Sequence, residues 1–419
     1  SVGRNALDAV TTASSNTAIG TESLTNNTAD HNTSCGFATL ESNTSGDNNT
    51  AVGSVALNAN TTGTNNVAVG RLCLDANTTA SNNTAVGTSC MGANTTGTDN
   101  VAMGASALAG NTTASYNTAI GRFAMQDNST GHSNTAVGEN SLNANSTGVQ
   151  NTAIGRKAMN KNTTAGDNTA VGFQAMLNTT TGGDNTAIGD SALAANTTGS
   201  NCTALGRESL LSNTTGTFNT AVGVYALDAN TTGSSNTAMG SNALGVNTSA
   251  GNNTAIGKSA LSDSTTASDN VAVGSTCLDA CTTSSGNVGI GMNALGLHTS
   301  GDGGNVCVGK DAGDSITTGS RNVCVGQNAN PNSATATFQY VFGHDLVGKG
   351  NQTFFAGGNT GSFNEFNSST WNTTSDQRIK KNIVNYDTGL SIINQIQVRN
   401  YEYKTEDEIK TDNPELTDV

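Results

Sequence analysis

Proline is nearly absent from this chain: there are two in 419 residues, Pro331 and Pro414. Aromatic residues make up 4% and charged residues 11%. So few aromatics argue against the two or three globular cores that a chain this long would ordinarily form. Disorder is no better an answer, because a disordered chain of this polarity would be richer in Pro, Lys and Glu. No run of about 18 apolar residues occurs, so no membrane-spanning helix and no membrane insertion are expected. The formal net charge of −14 argues against tracking the phosphates of a nucleic acid and suits a long soluble fibre. No Cys-x-x-Cys or Cys/His zinc spacing occurs, and His31, His132, His298 and His344 share no register. Neither a metal site nor a cofactor is expected. No secretory leader is visible either. Ser1 to Leu7 already read as part of a repeat, so the natural protein is expected to extend further towards its N-terminus.

Glycine is plentiful, at 50 residues, and one set of glycines keeps time. A marker glycine closes the phrase Asn-Thr-Ala-Val-Gly, as in Asn49 to Gly53, and returns every 17 residues from Gly36 to Gly291. A 16-residue step from Gly20 and an 18-residue step to Gly309 are the two departures before the series ends at Gly343. A fixed period this short implies stacked coils, each touching only its neighbours. The unit reads N-T-A-V-G-x-x-A-L-x-A-N-T-T-G-x-x. Thr50 to Val52 alternate like a strand, with Thr50 and Val52 on one side and Ala51 on the other. Ala56-Leu57-x-Ala59 reads as a second short strand. Asn60-Thr61-Thr62-Gly63 supplies a turn in which Gly63 can take positive φ. Helix is excluded by two Gly and several Thr per unit. Parallel coils about 4.8 Å apart would make a rod of roughly 95 Å from Gly3 to Gly343.

Identical residues should then stack into ladders, above all the Asn before each strand and the Asn opening each turn. Cys73 and Cys90 share one register and Cys307 and Cys324 another, at positions otherwise mostly Ala. They read as buried thiols replacing Ala rather than as disulfides, because stacked neighbours point the same way. Three ligand readings compete with the plain structural one. Asn-Thr-Thr matches the glycosylation acceptor pattern. Ranked Thr could form an ice-binding face. Asp47, Asp99, Asp167, Asp184 and Asp269 resemble the acids of calcium-binding β-rolls, though without the Gly-Gly-x-Gly-x-Asp repeat. Each coil offers only one Leu or Met, one Val or Ile and about three Ala. A single thin solenoid would be marginal, so side-by-side packing over alanine-lined faces is expected.

The unit N-T-A-V/I-G-x-x-A-L resembles the head repeat of trimeric autotransporter adhesins, a style of repeat also found in phage and viral tail fibres. The resemblance covers residues 1–330 and implies a left-handed parallel β-roll assembled as a homotrimer. From Thr337 the texture changes. Phe338, Tyr340, Phe342, Phe354, Phe355, Phe363, Phe366 and Trp371 crowd together, and residues 331–374 read as a cap or neck over the last coil, with an aromatic receptor site as the alternative. Residues 375–419 are charge-rich. Asp387-Thr388 could cap a short helix through Ile396, and Val398 to Tyr403 alternate like a strand, so a small α/β segment is expected.

Ser375-Asp-Gln-Arg-Ile-Lys380-Lys-Asn-Ile resembles the opening of the endosialidase-type intramolecular chaperone. That resemblance implies fibre trimerisation followed by self-cleavage at Thr374–Ser375, with Ser375 as nucleophile and Lys380 as its base. Together the readings describe a virion tail fibre that attaches to a host-surface receptor and joins other tail proteins through a missing N-terminus. The chain would not be a turnover enzyme. A bacterial cell-surface trimeric adhesin is the alternative, and a polysaccharide-degrading tail spike is a third.

Overall fold

The computed structural model describes residues 1–9, 12–358, 362–365 and 371–373. The chain divides into two compact units, Ser1–Asn372 and Thr373–Val419. The first is an all-β parallel β-solenoid of about twenty coils of ~17 residues, with no helix among the described residues. The candidate α/β segment from Asp387 to Tyr403 lies outside the described residues.

Each coil holds one three-residue strand, from β1 (Thr17–Ile19) through β3 (Thr50–Val52) and β4 (Val67–Val69) to β20 (Tyr340–Phe342). Every strand pairs in parallel with the next, in register, so that Thr50 meets Val67, Ala51 meets Ala68 and Val52 meets Val69. The parallel ladder continues past residue 330 to β21 (Thr353–Ala356). It reverses there: β22 (Ser362–Glu365) runs antiparallel to β21. A last strand, β23, spans Trp371–Thr373.

One strand per coil, rather than the expected two, has a local cause. Around Ala56-Leu57 the backbone turns repeatedly into the left-handed region: Val55 sits at φ 63° and Leu57 at φ 53°. Such φ values cost a residue with a Cβ roughly 1–2 kcal/mol each. Stacking imposes them. The Val55 amide donates back to the Phe37 carbonyl at 2.9 Å, and the Leu57 amide donates forward to the Cys73 carbonyl at 2.9 Å. The same bend carries Leu57 fully inside, a burial that contributes about 1.5–3 kcal/mol.

The two glycines of a coil do different work. Gly53 has φ 131°, and a Cβ there would fall 2.6 Å from the carbonyl carbon and oxygen of Gly70. The marker is therefore glycine for both conformation and contact. Gly63 does not take the positive φ expected of it. Ala80 and Ala114 occupy the equivalent position, buried at 2% and 5% exposure. There glycine is small rather than conformationally special.

The interior is half apolar and half amide. Ala51, Ala56 and Leu57 face Asn49 and Asn60 across the coil, all fully buried. Both expected ladders form. The Asn66 amide N–H donates to Asn49 Oδ1 at 3.0 Å. Asn77 Nδ2 donates to Asn60 Oδ1 at 2.9 Å. The two ladders meet on one carbonyl, because Asn66 Nδ2 and Asn77 Nδ2 both donate to Ala80 O, at 2.8 and 3.0 Å. Where both ladders are unbroken, each buried amide is thus tied to a turn and to the adjacent coil, which satisfies groups whose isolation would cost about 1–3 kcal/mol each.

Candidate functional site

Among the described residues the interior carries no reactive constellation. Cys73 and Cys90 stack in adjacent coils, and the hydrogen bond between them together with burial pushes the Cys73 thiol well up. Burial raises Cys277 to about 12 and Cys281 to about 11. Thiols held protonated are poor nucleophiles and poor metal ligands. Cys307 pairs in register with Cys324, and both are fully buried where most other coils have Ala. All eight cysteines are free, as the reading of buried thiols requires, except that Cys35 is only half-buried. Among the described residues no three His, Cys, Asp or Glu side chains are grouped to hold a metal ion.

The perturbed carboxylates share one address. Asp75, Asp228, Asp279 and Asp314 all stand five residues after a marker glycine. Burial is the first cause of the raised pKa in each. The shift marks a position in the coil and recurs in separate coils. It does not mark a catalytic pair.

Geometry also disposes of the ligand readings of the ladders. Asn60, Asn77 and Asn94 are fully buried, and their Nδ2 atoms are committed inside the rod. A glycan on those nitrogens is incompatible with the fold. The first turn threonine is committed as well: Thr61 Oγ1 donates to Thr78 O at 3.0 Å. Asp99, Asp167, Asp184 and Asp269 each sit at φ of 56–60°. Asp and Asn tolerate that conformation best among residues with a Cβ, so backbone shape explains four of the five acids that resembled a calcium roll; in the coil of Asp47 the left-handed position is held by Asn48, at φ 57°.

Two surfaces remain as places where function can reside. The first is the outer face of the sheet. Ala51 points inward, and Val52 outward at 37% exposure. The expected alanine-lined faces are therefore interior, and the Val/Ile rank is the one left open. It runs without a charge from Ile19 to Phe342, flanked by the Thr/Val rank at the first strand position. Arginines and lysines recur just beyond the strand ends, as at Arg71, Arg122, Arg156, Arg207 and Lys258. Arg122 lies over the Phe123 ring at 4.2 Å and Arg156 over Phe173 at 4.9 Å.

The second surface is the C-terminal end of the rod. Val341, Leu346 and Phe355 are buried in continuity with the core. Phe342 and Phe354 stack at 5.2 Å between centroids. Arg321 lies over Phe338, and Lys349 over Phe355. With β22 paired along β21, the chain's own hairpin occupies the edge that a further coil would otherwise take.

Beyond this end the chain enters a different sequence texture. Residues 375–416 match the family model of the chaperone of endosialidase. The C-terminal segment is thus an intramolecular chaperone domain, and its match opens at Ser375. No curated protein and no solved structure matches the chain. Thr374, Ser375 and Lys380 lie outside the described residues, two positions and fewer beyond β23 in the case of Thr374 and Ser375. Among the described residues no helix is long and apolar enough to cross a membrane. Sequence reasoning found the chaperone segment and the ladders. It missed the left-handed residues, whose one visible signal is the enrichment of Asn and Asp immediately before the ladder Asn.

Proposed function

We propose that the chain is the shaft of a virion tail fibre, a homotrimeric host-attachment protein whose chaperone segment trimerises it and then cuts itself away. The observation that carries this reading is the chaperone match beginning at Ser375, directly after a rod of repeated coils. The repeat supplies the physical need. Identical coils can pair one repeat out of register at little cost, so a terminal clamp must set the alignment.

In the proposed cleavage, Ser375 Oγ attacks the Thr374 carbonyl carbon while a neutral Lys380 amine takes the hydroxyl proton. The Thr374–Ser375 peptide bond breaks, its nitrogen takes up a proton, and an ester joins Thr374 to Ser375 Oγ. Water hydrolyses that ester, leaving a Thr374 carboxylate and a Ser375 amine. The rod then remains as a stiff spacer and display surface for a receptor-binding part.

The experiment is intact mass and oligomeric mass of the natural full-length product beside its Ser375→Ala variant. The wild type should appear as a trimer of chains ending at Thr374, and the variant as an uncut trimer. Equal chain masses with a complete C-terminus in both would remove self-cleavage. A monomer in both would remove the fibre reading.

A further inference from the structure

The rim of the outer face carries another rank, one residue before each ladder Asn. Stacking fixes its members: the Tyr116 amide donates to Thr98 O in the preceding coil at 3.2 Å, and the Phe218 amide to Ser200 O at 3.2 Å. From Ser15 to Asp269 every member turns into the left-handed region, Tyr116 at φ 62° and Phe218 at φ 57°. The rank holds Asn, Asp, Ser, Gln or His in every one of those coils but these two.

A bulky ring is a genuine exception in that conformation. The fold gains little from either ring. Tyr116 is 66% exposed and Phe218 62%. Neither makes a stacking or cation–π contact among the described residues. At the strand ends, by contrast, Phe123, Phe173 and Tyr225 each lie under an arginine of the rod itself. A lone exposed aromatic is ordinary. An uncovered ring held in a disfavoured conformation is the kind of outlier that gathers at ligand sites.

The two rings also share their surroundings. Tyr116 stands between Asp99 in the preceding coil and Ser133 in the next, and Phe218 between Asn201 and Ser235 in the same order. All four neighbours are exposed. One Asp99 carboxylate oxygen accepts from Asn82 Nδ2 at 3.1 Å. Hydroxyls adjoin each ring: the Thr98 amide donates to Ser115 Oγ at 2.9 Å, and the Thr217 amide to Ser234 Oγ at 3.0 Å. The rings precede β7 (Thr118–Ile120) and β13 (Thr220–Val222), six steps of the ladder apart. The two constellations therefore repeat about 29 Å apart along the rod.

We propose that Tyr116 and Phe218 are the platforms of two equivalent sites for a neutral saccharide chain. The inference rests on the host-attachment reading and gives the receptor a chemical class. A pyranose ring has a C–H face that fits the negative face of an aromatic ring, and a rim of hydroxyls that fits donors and acceptors one coil to either side. One ring is far too small for a protein partner, which would need about 800 Å². Asp99 and the net charge of −14 disfavour an anionic polymer. Two weak sites on one rigid rod suit a chain of repeating sugars, because binding at one raises the effective concentration at the other.

The test is binding of the full-length oligomer to immobilised neutral polymers of glucose, galactose, mannose and N-acetylglucosamine, with dextran sulfate as the anionic control. Saturable binding to at least one neutral polymer is expected, and none to dextran sulfate. Tyr116→Ser and Phe218→Ser should each weaken it about tenfold or more, and the double variant should abolish it. The urea midpoint should not fall, because serine already stands at this corner in Ser133 and Ser235. Tyr116→Phe should bind like the wild type, since Phe218 serves the equivalent site. A trimer that binds none of the neutral polymers, or binds them equally well without both rings, overturns these sites and leaves the fibre standing. Ring-dependent binding of dextran sulfate alone overturns the neutral ligand. A wild-type monomer overturns the fibre reading, and the ring variants still decide the sites.

Discussion

The turn ladder behaves differently in two stretches of the rod. From Asn60 to Asn162 every coil contributes an Asn, and each amide donates to the carbonyl oxygen of the one before. After Asn247 the same position holds Ser264, Cys281, His298 and Ile316. Buried polar atoms lose their partners there: Asn247 Oδ1, Ser264 Oγ and His298 Nδ1 have none. The one other break, Thr179, likewise leaves Asn162 Oδ1 unpartnered in the preceding coil. A ladder satisfies each member through the next, so a single missing rung orphans its neighbour. The regular stretch is cohesive by repetition, and the irregular stretch near the 18-residue step is where the rod should yield first.

The comparison breaks most completely if the feature common to both stretches is removed. Gly155→Val places a Cβ 2.3 Å from Gly172 O at φ 131°. The expected loss is about 4 kcal/mol or more, read as a collapse of the urea midpoint. Gly63→Ala, at the other glycine of the coil, also brings a Cβ to 2.3 Å from a carbonyl oxygen, that of Ala80, but without the positive φ; since Ala80 and Ala114 already stand at that position, its loss should be clearly smaller than that of Gly155→Val.

Next in size is the pH response of the irregular stretch. His298 is buried against Ser284 Oγ at 2.8 Å, and burial lowers its pKa from 6.5 to about 4. Above pH 6.5 it is neutral in both states. As pH falls from 6.5 towards 4, the unfolded chain takes up a proton that the folded chain resists. Stability then declines by up to about 3 kcal/mol and levels off below pH 4. Urea midpoints measured between pH 7 and 4 should show this slope. His298→Asn should remove its contribution to that slope, and an unchanged slope would show that His298 does not cause it.

The smallest effect sharpens the comparison by repair. Ser264→Asn supplies a donor to Asn247 Oδ1 and should stabilise by about 1 kcal/mol. Amide hydrogen exchange should slow in the coils around residues 247–264 and stay unchanged near Asn94.

Much of this architecture was legible in the residues. The marker glycine from Gly36 to Gly291 announced the coil, the Thr-Ala-Val alternation announced its strand, and the two Asn positions announced their ladders. The Ala56-Leu57 segment misled because its apolar pattern reads as a strand, while Val55 and Leu57 adopt a conformation their side chains disfavour. That choice depends on amides bonding to coils on both sides, which no local pattern contains. Gly63 misled for a related reason: a turn glycine suggests positive φ, whereas here it only makes room.

The sequence alone determined the period, the solenoid and the chaperone segment at Ser375, because repetition and a nine-residue phrase are properties of the chain itself. Tertiary structure decided which face of the strand points inward. Alternation separates Ala51 from Val52 but assigns neither to the interior. The inward face had to be the smaller one, since Leu57 and two buried amides already fill a coil closed by only seventeen residues. The larger Val and Ile side chains were left outside.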